Sequence, residues 1–423
     1  MKNIVDRSRA DLADLQAQLL EEYRKYQALN LKLDMSRGKP SGEQLDLTNG
    51  ALTTMENDYY TAAGVDARNY GGLEGIPEMR KLFSDLLAIP ADQMIIGGNS
   101  SLNLMYDTIA RCMIFGTQGN TPWCKLPKVK FLCPSPGYDR HFAICEDFGI
   151  EMIPVPMTSD GPDMDLVEKL AAEDDAVKGI WCVPLYSNPQ GICYSDRTVE
   201  RLAAMKTAAA DFRIFWDNAY GVHHIFGERC VKDILAATAA AGNPDRVYYF
   251  FSTSKITFPG AGVAMVAGSA ANIAEIKRRM SIQTIGHDKL NQLRTVRFLK
   301  DADGVRAHMA KLAESLRPKF ELVLQTLERE LGDTGLASWE TPAGGYFVAV
   351  DTLDGCAKRV VQLAREAGVV MTGAGATFPY GKDPRDRNIR IAPSYPTLDE
   401  LKGAIEIFCV CVKLAGVEKL LAE

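Results

Sequence analysis

Apolar residues recur at threes and fours near the start of the chain. Leu12, Leu15, Leu19, Tyr23 and Tyr26 fall on one face of a helix running from residue 6 to about residue 30. Arg37-Gly38-Lys39-Pro40 breaks the pattern and begins an irregular arm. From residue 93 the pattern changes to short, solidly apolar runs at 93–97, 129–133, 151–155, 179–183, 213–217, 246–251 and 263–267. Helix-period stretches lie between most of them: Leu102–Phe115, Asp163–Glu173, Asp196–Ala210 and Val231–Ala241. Apolar strands alternating with helices predict an α/β fold with a mainly parallel, seven-stranded sheet covered on both faces. Such sheets bind ligands outside the carboxyl ends of their strands.

Residues 271–332 read as mostly helical, with expected breaks at Gly286 and Gly304 and a long helix from about Val305 to Leu331. A strand over Ser338–Val350, bent at Pro342-Ala343-Gly344-Gly345, opens a smaller α+β unit. A helix near 355–367, short strands at 369–372 and 388–391 and a helix near 397–415 complete it. A chain of 423 residues is expected to split, because single cores stop growing near ~250–300 residues. The expected division is an N-terminal helix and arm over 1–50, packing with the small unit, a large unit over 51–304 and the small unit over 305–423.

Composition narrows the function classes. A net charge of −6 with no long basic run argues against nucleic acid as a partner, so any phosphate must be bound locally. The ten cysteines form no CxxC, and no metal site is expected. Cys133, Cys182 and Cys409 lie in apolar stretches and are expected as buried thiols. Met1–Asp6 lacks the apolar core of a signal peptide, and no apolar run reaches the ~18 residues of a membrane span. A soluble cytoplasmic protein is the expectation.

The candidate chemistry collects just past strand ends. Phe250-Phe251-Ser252-Thr253-Ser254-Lys255 runs from an apolar strand through three hydroxyl residues to a lysine, and Pro259-Gly260-Ala261-Gly262 follows. A lysine at an element edge facing a cleft loses hydration, becomes less basic and can form an imine with a carbonyl compound. Taken alone, the stretch also reads as a solvated lysine beside a Gly-rich turn. Three further motifs accompany it: Gly97-Gly98-Asn99-Ser100-Ser101 at a helix start, Asn188-Pro189-Gln190-Gly191, and Asp217-Asn218-Ala219-Tyr220.

In this order and at this spacing, the four motifs resemble those of fold-type-I aminotransferases that use pyridoxal 5'-phosphate. The chain is most similar to class I aspartate aminotransferases, in particular the divergent bacterial branch called subgroup Ic. The resemblance runs from about Leu33 to the C-terminus. It implies that Lys255 holds the cofactor and shuttles a proton, and that Asp217 keeps the pyridine nitrogen protonated. Asn188 and Tyr220 would hydrogen-bond the ring oxygen. Gly98, Asn99 and Ser100, with Ser252 and Ser254, would take the phosphate at a helix N-terminus. Tyr138, in Pro136-Gly137-Tyr138-Asp139-Arg140-His141, would stack on the ring, with His141 behind Asp217. Arg390, in the apolar run Asn388-Ile389-Arg390-Ile391, would grip the substrate α-carboxylate, with Gly38 nearby. Tyr70 would reach the phosphate of a neighbouring subunit, which implies a homodimer with shared active sites.

One feature departs from the common family pattern. A phosphate-pairing arginine usually follows the Pro-Gly turn, and this chain has glycine there. Subgroup Ic shares the departure. The cation for a substrate's second carboxylate stays open among Arg37, Lys39, Arg140 and Lys289. The implied reaction moves the amino group of L-aspartate to 2-oxoglutarate. The alternatives are another donor (alanine, an aromatic amino acid or 2-aminoadipate), a β-lyase, or a regulator on the same fold. The last is disfavoured, because an N-terminal helix of this length is too short for a DNA-binding module.

Overall fold

The structure, a computed structural model, describes residues 3–423. Its central sheet runs, edge to edge, Met94–Ile96, Ala264–Ala267, Val247–Ser252, Arg213–Asp217, Val177–Cys182, Lys130–Ser135, Glu151–Thr158 and Gly161–Pro162. All seven predicted strands are present, and the two-residue strand Gly161–Pro162 adds an eighth at one edge. The pairings from Val247–Ser252 through to Glu151–Thr158 are parallel. Ala264–Ala267 runs against both of its neighbours.

Successive side chains of a strand point to opposite faces, and here both faces are covered. Ile214, Trp216, Val247, Tyr249 and Phe251 pack on one side, where the helices Pro77–Leu87, Met164–Glu173 and Asp196–Ala204 supply the cover. Phe215, Tyr248 and Phe250 pack on the other, against Ser101–Phe115, Asp139–Asp147 and Ala270–Gln283. Two-sided burial is why these strands are apolar runs and not alternating ones. It also leaves polar residues to the strand ends. Met94–Ile96, Lys130–Ser135, Val177–Cys182, Arg213–Asp217 and Val247–Ser252 all end at the same edge, so the motifs after them converge.

A separate core joins the helix Arg9–Ala28, the latter half of Ala302–Leu331, the three-stranded sheet Ala337–Trp339, Val348–Thr352 and Asn388–Ile391, and the helices Ala357–Glu366 and Leu398–Ala422. Leu12, Leu15, Leu19 and Tyr23 enter this core, on the face that the periodicity predicts. The final helix is buried on nearly every side, as an all-round apolar helix must be. The first half of Ala302–Leu331 packs Val305, Met309 and Leu312 against the large-sheet core, and the second half packs Phe320, Val323 and Leu327 into the smaller one. One helix therefore belongs to both cores.

Four expectations are corrected. Gly304 does not break a helix: it lies inside Ala302–Leu331, where the Asp301 side chain accepts from its N–H at 2.8 Å and starts the helix. The strand predicted over Ser338–Val350 is two short strands around the glycine bend. Asp196 begins a helix that ends at Ala204 and not at Ala210. The short strand Val369–Val370 pairs in parallel with Leu33–Asp34, between the first helix and the arm, where no strand was expected.

Candidate active site

Lys255 ends the hydroxyl run after Val247–Ser252, and its Nζ lies 4.9 Å from the centre of the Tyr220 ring. Burial pushes its pKa down, Asp217 opposes that, and the guanidinium of Arg390 adds to it. A cavity of about 140 Å³ opens around the amine, lined by Ser100, Tyr138, Asn188, Asp217, Tyr220, Ser252 and Ser254 among others. A wider cleft of about 660 Å³, bounded by Leu86, Trp216, Val222 and Met309, contains none of the residues predicted from the sequence.

Asp217 closes one end of the cavity. It ends a strand whose every residue is buried, and it is itself only 2% exposed. His141 Nε2 donates to Asp217 Oδ2 at 3.0 Å. The His141 ring is fixed in turn by stacking on Trp181, with centroids 4.3 Å apart and planes 8° from parallel. Asp217 Oδ1 is buried with no hydrogen-bond partner among the described residues. A buried carboxylate oxygen left unpaired is costly, and this one suits a donor such as a protonated ring nitrogen. Tyr138 meets His141 edge-on, with centroids 5.0 Å apart. Burial holds the Tyr220 hydroxyl in its neutral form, well above its usual range.

Arg390 reaches the site from Asn388–Ile391. Its Nη1 donates to Asp139 Oδ1 at 3.1 Å and to Asn188 Oδ1 at 3.2 Å, and its guanidinium carbon lies 4.8 Å from the centre of the Phe347 ring. Nη2 makes one long bond, to Thr372 Oγ1 at 3.4 Å, and Nε is buried without a partner among the described residues. Gly38 lies beneath Phe347, where an added Cβ would fall 2.2 Å from that ring.

On the opposite side Ser100 caps the helix Ser101–Phe115, its Oγ accepting from Leu102 N–H at 3.2 Å. Ser252 Oγ donates to Ser254 Oγ at 3.1 Å, and Ser254 Oγ donates to the Asn99 carbonyl at 3.2 Å. Gly262 explains the missing arginine in steric terms. A Cβ at this position would lie 2.9 Å from the Asn99 carbonyl oxygen and 3.1 Å from Ser254 Oγ. The turn and the helix start approach so closely that a side chain at residue 262 would have to displace Asn99 or Ser254.

The structure thus brings Ser100, Tyr138, Asn188, Asp217, Tyr220, Ser252, Ser254 and Lys255 onto one cavity, with His141 behind Asp217 and Arg390 bonded to Asn188. Gly98 and Asn99 lead into the helix start without lining the cavity. Tyr70 stands on an exposed loop, 82% accessible, and does not line it either. Of the four candidate cations for a second carboxylate, Lys289 is committed elsewhere: it is buried and donates to the Asn69 and Gly71 carbonyls at 2.6 and 2.7 Å. Lys39 Nζ lies 3.9 Å over the Tyr395 ring, and Arg37 and Arg140 are exposed. Sequence reasoning missed Asp139, Thr372 and the backbone partners of Lys255. Asp139 stands inside a segment already singled out, and its charge beside Tyr138 was the available signal.

The aspartate amino-transferase family matches residues 7–423. An aspartate aminotransferase of Corynebacterium glutamicum is 50% identical over 392 residues, covering 92% of this chain and 90% of that protein. The crystal structure of an aspartate transaminase from Corynebacterium glutamicum superposes with a TM-score of 0.97 at 46% identity, covering 99% of both chains. An α-aminoadipate aminotransferase of Thermus thermophilus, complexed with N-(5'-phosphopyridoxyl)-L-leucine, shares the fold at a TM-score of 0.74 and 19% identity, over 99% of this chain and 96% of that one. The fold is therefore that of the pyridoxal-phosphate-dependent aminotransferases of fold type I. The chain belongs to the aspartate amino-transferase family, is an aminotransferase, and uses pyridoxal 5'-phosphate as its cofactor.

Proposed function

We propose that this enzyme transfers the amino group of L-aspartate to 2-oxoglutarate, giving oxaloacetate and L-glutamate in a ping-pong cycle. The observation that carries the reading is a pair of buried polar atoms without partners among the described residues, Asp217 Oδ1 and Arg390 Nε, on two charged groups that both act on Lys255. One suits a cationic ring nitrogen and the other a carboxylate. The name of the Corynebacterium glutamicum relative supports aspartate as donor.

Bound pyridoxal 5'-phosphate supplies an electron-accepting ring and a reactive carbonyl carbon. The chain's own residues do the rest. Lys255 Nζ would hold the cofactor through its carbonyl carbon and, once the substrate's amine displaces it, would carry a proton to and from the substrate carbon, which requires a neutral amine near working pH. Asp217 Oδ1 accepts from the ring nitrogen while His141 Nε2 keeps the carboxylate oriented. Tyr138 covers the ring. Asn188 and Tyr220 donate to the ring oxygen. Arg390 pairs with the α-carboxylate through its Nε and Nη2 edge, its other edge being held by Asp139 and Asn188. Gly98, Asn99, Ser100, Ser252 and Ser254 take the phosphate. We assign the enzyme to the cytoplasm and divide it into 1–50, 51–304 and 305–423, with the last unit and the N-terminal helix moving together. Tyr70, Ile282 and Ile285 are exposed, and Gly286 packs against the Gly71 carbonyl, which brings the backbone beside Tyr70 next to the backbone beside Ile285. Such a patch fits a second copy of the chain, with Tyr70 completing the partner's phosphate site.

A panel of amino acids assayed with 2-oxoglutarate tests the substrate. Aspartate is expected to give the highest kcat/KM, and a clear preference for alanine or phenylalanine would refute the assignment. The phosphate cup yields a second expectation. Gly262→Arg, which restores the residue type common in the family, weakens cofactor binding by roughly tenfold, because the side chain displaces Asn99 or Ser254. Titration of apoprotein with cofactor measures this, and tighter binding would show that the cup tolerates a side chain there.

A further inference from the structure

His223 lies beside the lysine and has no part in the chemistry described above. It is 2% exposed. Its Nε2 donates to the main-chain carbonyl of Lys255 at 3.2 Å, and Tyr346 Oη donates to the same carbonyl at 3.5 Å. The other ring nitrogen, Nδ1, is buried with no partner among the described residues. An apolar ring of similar size would leave no nitrogen unpaired. What the imidazole adds over such a ring is its one bond to the lysine backbone. Burial, helped by Lys255 whenever that amine is protonated, lowers the His223 pKa to about 3, so the ring stays neutral and Nε2 keeps its proton for that bond.

The segment carrying His223 is gripped from the C-terminal side of the chain. Gly345 N–H donates to the His223 carbonyl at 2.9 Å. Ile225 and Phe226 N–H both donate to the Ala343 carbonyl, at 3.0 and 2.9 Å. His224 and Gly344 form an antiparallel bridge. The bend Pro342–Gly345 leads into Val348–Thr352, which pairs with the strand carrying Arg390. Main-chain bonds therefore link the Arg390 strand and the glycine bend to residues 223–226, and the His223 side chain supplies the last link, to the Lys255 carbonyl.

We infer that His223 is a positioning residue that couples the Lys255 backbone to the bend Pro342–Gly345, so that a shift of the Arg390 strand on substrate binding is felt at the lysine. The inference rests on the role proposed above for Lys255. Only the Nε2–H bond is needed, and a glutamine amide nitrogen can occupy that position, whereas leucine cannot donate.

Three variants of the full enzyme test this. His223→Leu is expected to lower kcat by roughly 10- to 100-fold with KM little changed, since small misplacement of a reacting group costs this much. Hydrogen exchange across residues 254–258, followed with and without cofactor, is expected to quicken in the same variant. His223→Gln restores both readouts. In Gly344→Ala the new Cβ would lie 2.2 Å from the His223 carbonyl oxygen, so exchange at 254–258 is expected to quicken although the substitution is far away in the chain. The inference is overturned if His223→Leu matches wild type in kcat and exchange, or if His223→Gln is as impaired as His223→Leu. It is equally overturned if Gly344→Ala alters exchange only at 223–226 and 342–346, a result that stands even where His223→Leu does not fold. Retained turnover in Lys255→Ala would instead remove the role of the lysine and leave the exchange results to be judged on their own.

Discussion

Lys255→Ala protein is expected to carry no covalently attached cofactor and to turn over about 10⁴-fold more slowly, the upper range for loss of a positioned acid–base group. The variant should still bind pyridoxal 5'-phosphate, because none of the phosphate ligands proposed here depends on the lysine side chain. Ser100 remains a helix cap, and Ser252 and Ser254 keep their mutual bond. Mass spectrometry of borohydride-treated protein reads the attachment, and steady-state assays read the rate. The amine's reactivity has a definite direction with pH. Burial holds its pKa below that of a free lysine, so the neutral form is reached at lower pH than in water. Arg390 pushes the same way as burial and Asp217 against it, so Arg390→Gln should raise that pKa. Wild-type turnover in Lys255→Ala protein would end the assignment of the site.

Much of this could be read from the residues because two-sided burial leaves a plain trace. Strands such as Arg213–Asp217 have no wet face, so they read as solid apolar runs, and a carboxylate at the end of one stands out. The predicted elements failed where local side-chain bonds set the boundary. Gly304 looked like a breaker, yet its N–H is the donor that Asp301 uses to begin a helix. The helix from Asp196 stops at Ala204 because the chain turns to place the Ala208 N–H on the Ala171 carbonyl, a partner that no local pattern names. Contacts made across the fold left no trace at all. Arg390 meets Asp139 across 251 residues and Tyr346 meets the Lys255 carbonyl across 91. Spacing rules describe neighbours on one element and say nothing of these. The glycine at 262 is an intermediate case: the missing arginine was visible, but its cause, the close approach of Asn99, is a fact of packing.

Asp217→Asn is expected to lower kcat by roughly 10²–10³-fold, the range for losing one preorganised electrostatic contact. The substitution keeps volume and shape, so the loss measures charge. In wild type one carboxylate oxygen is fixed by His141 Nε2 at 3.0 Å and the other is buried and unpaired. With the His141 proton kept on Nε2, an amide cannot satisfy both ends. If its oxygen accepts from His141, its NH₂ would face the pyridine nitrogen proposed to lie there and would hold that nitrogen unprotonated, removing the positive charge that draws electrons into the ring. If it turns round, two donors meet at His141. His141→Asn should cost less, because the charge survives and only its orientation slackens. The ordering matters more than either size. If His141→Asn lost more activity than Asp217→Asn, the histidine rather than the carboxylate would have to face the ring. Stacked on Trp181, with Nε2 already donating to Asp217, the histidine does not line the cavity.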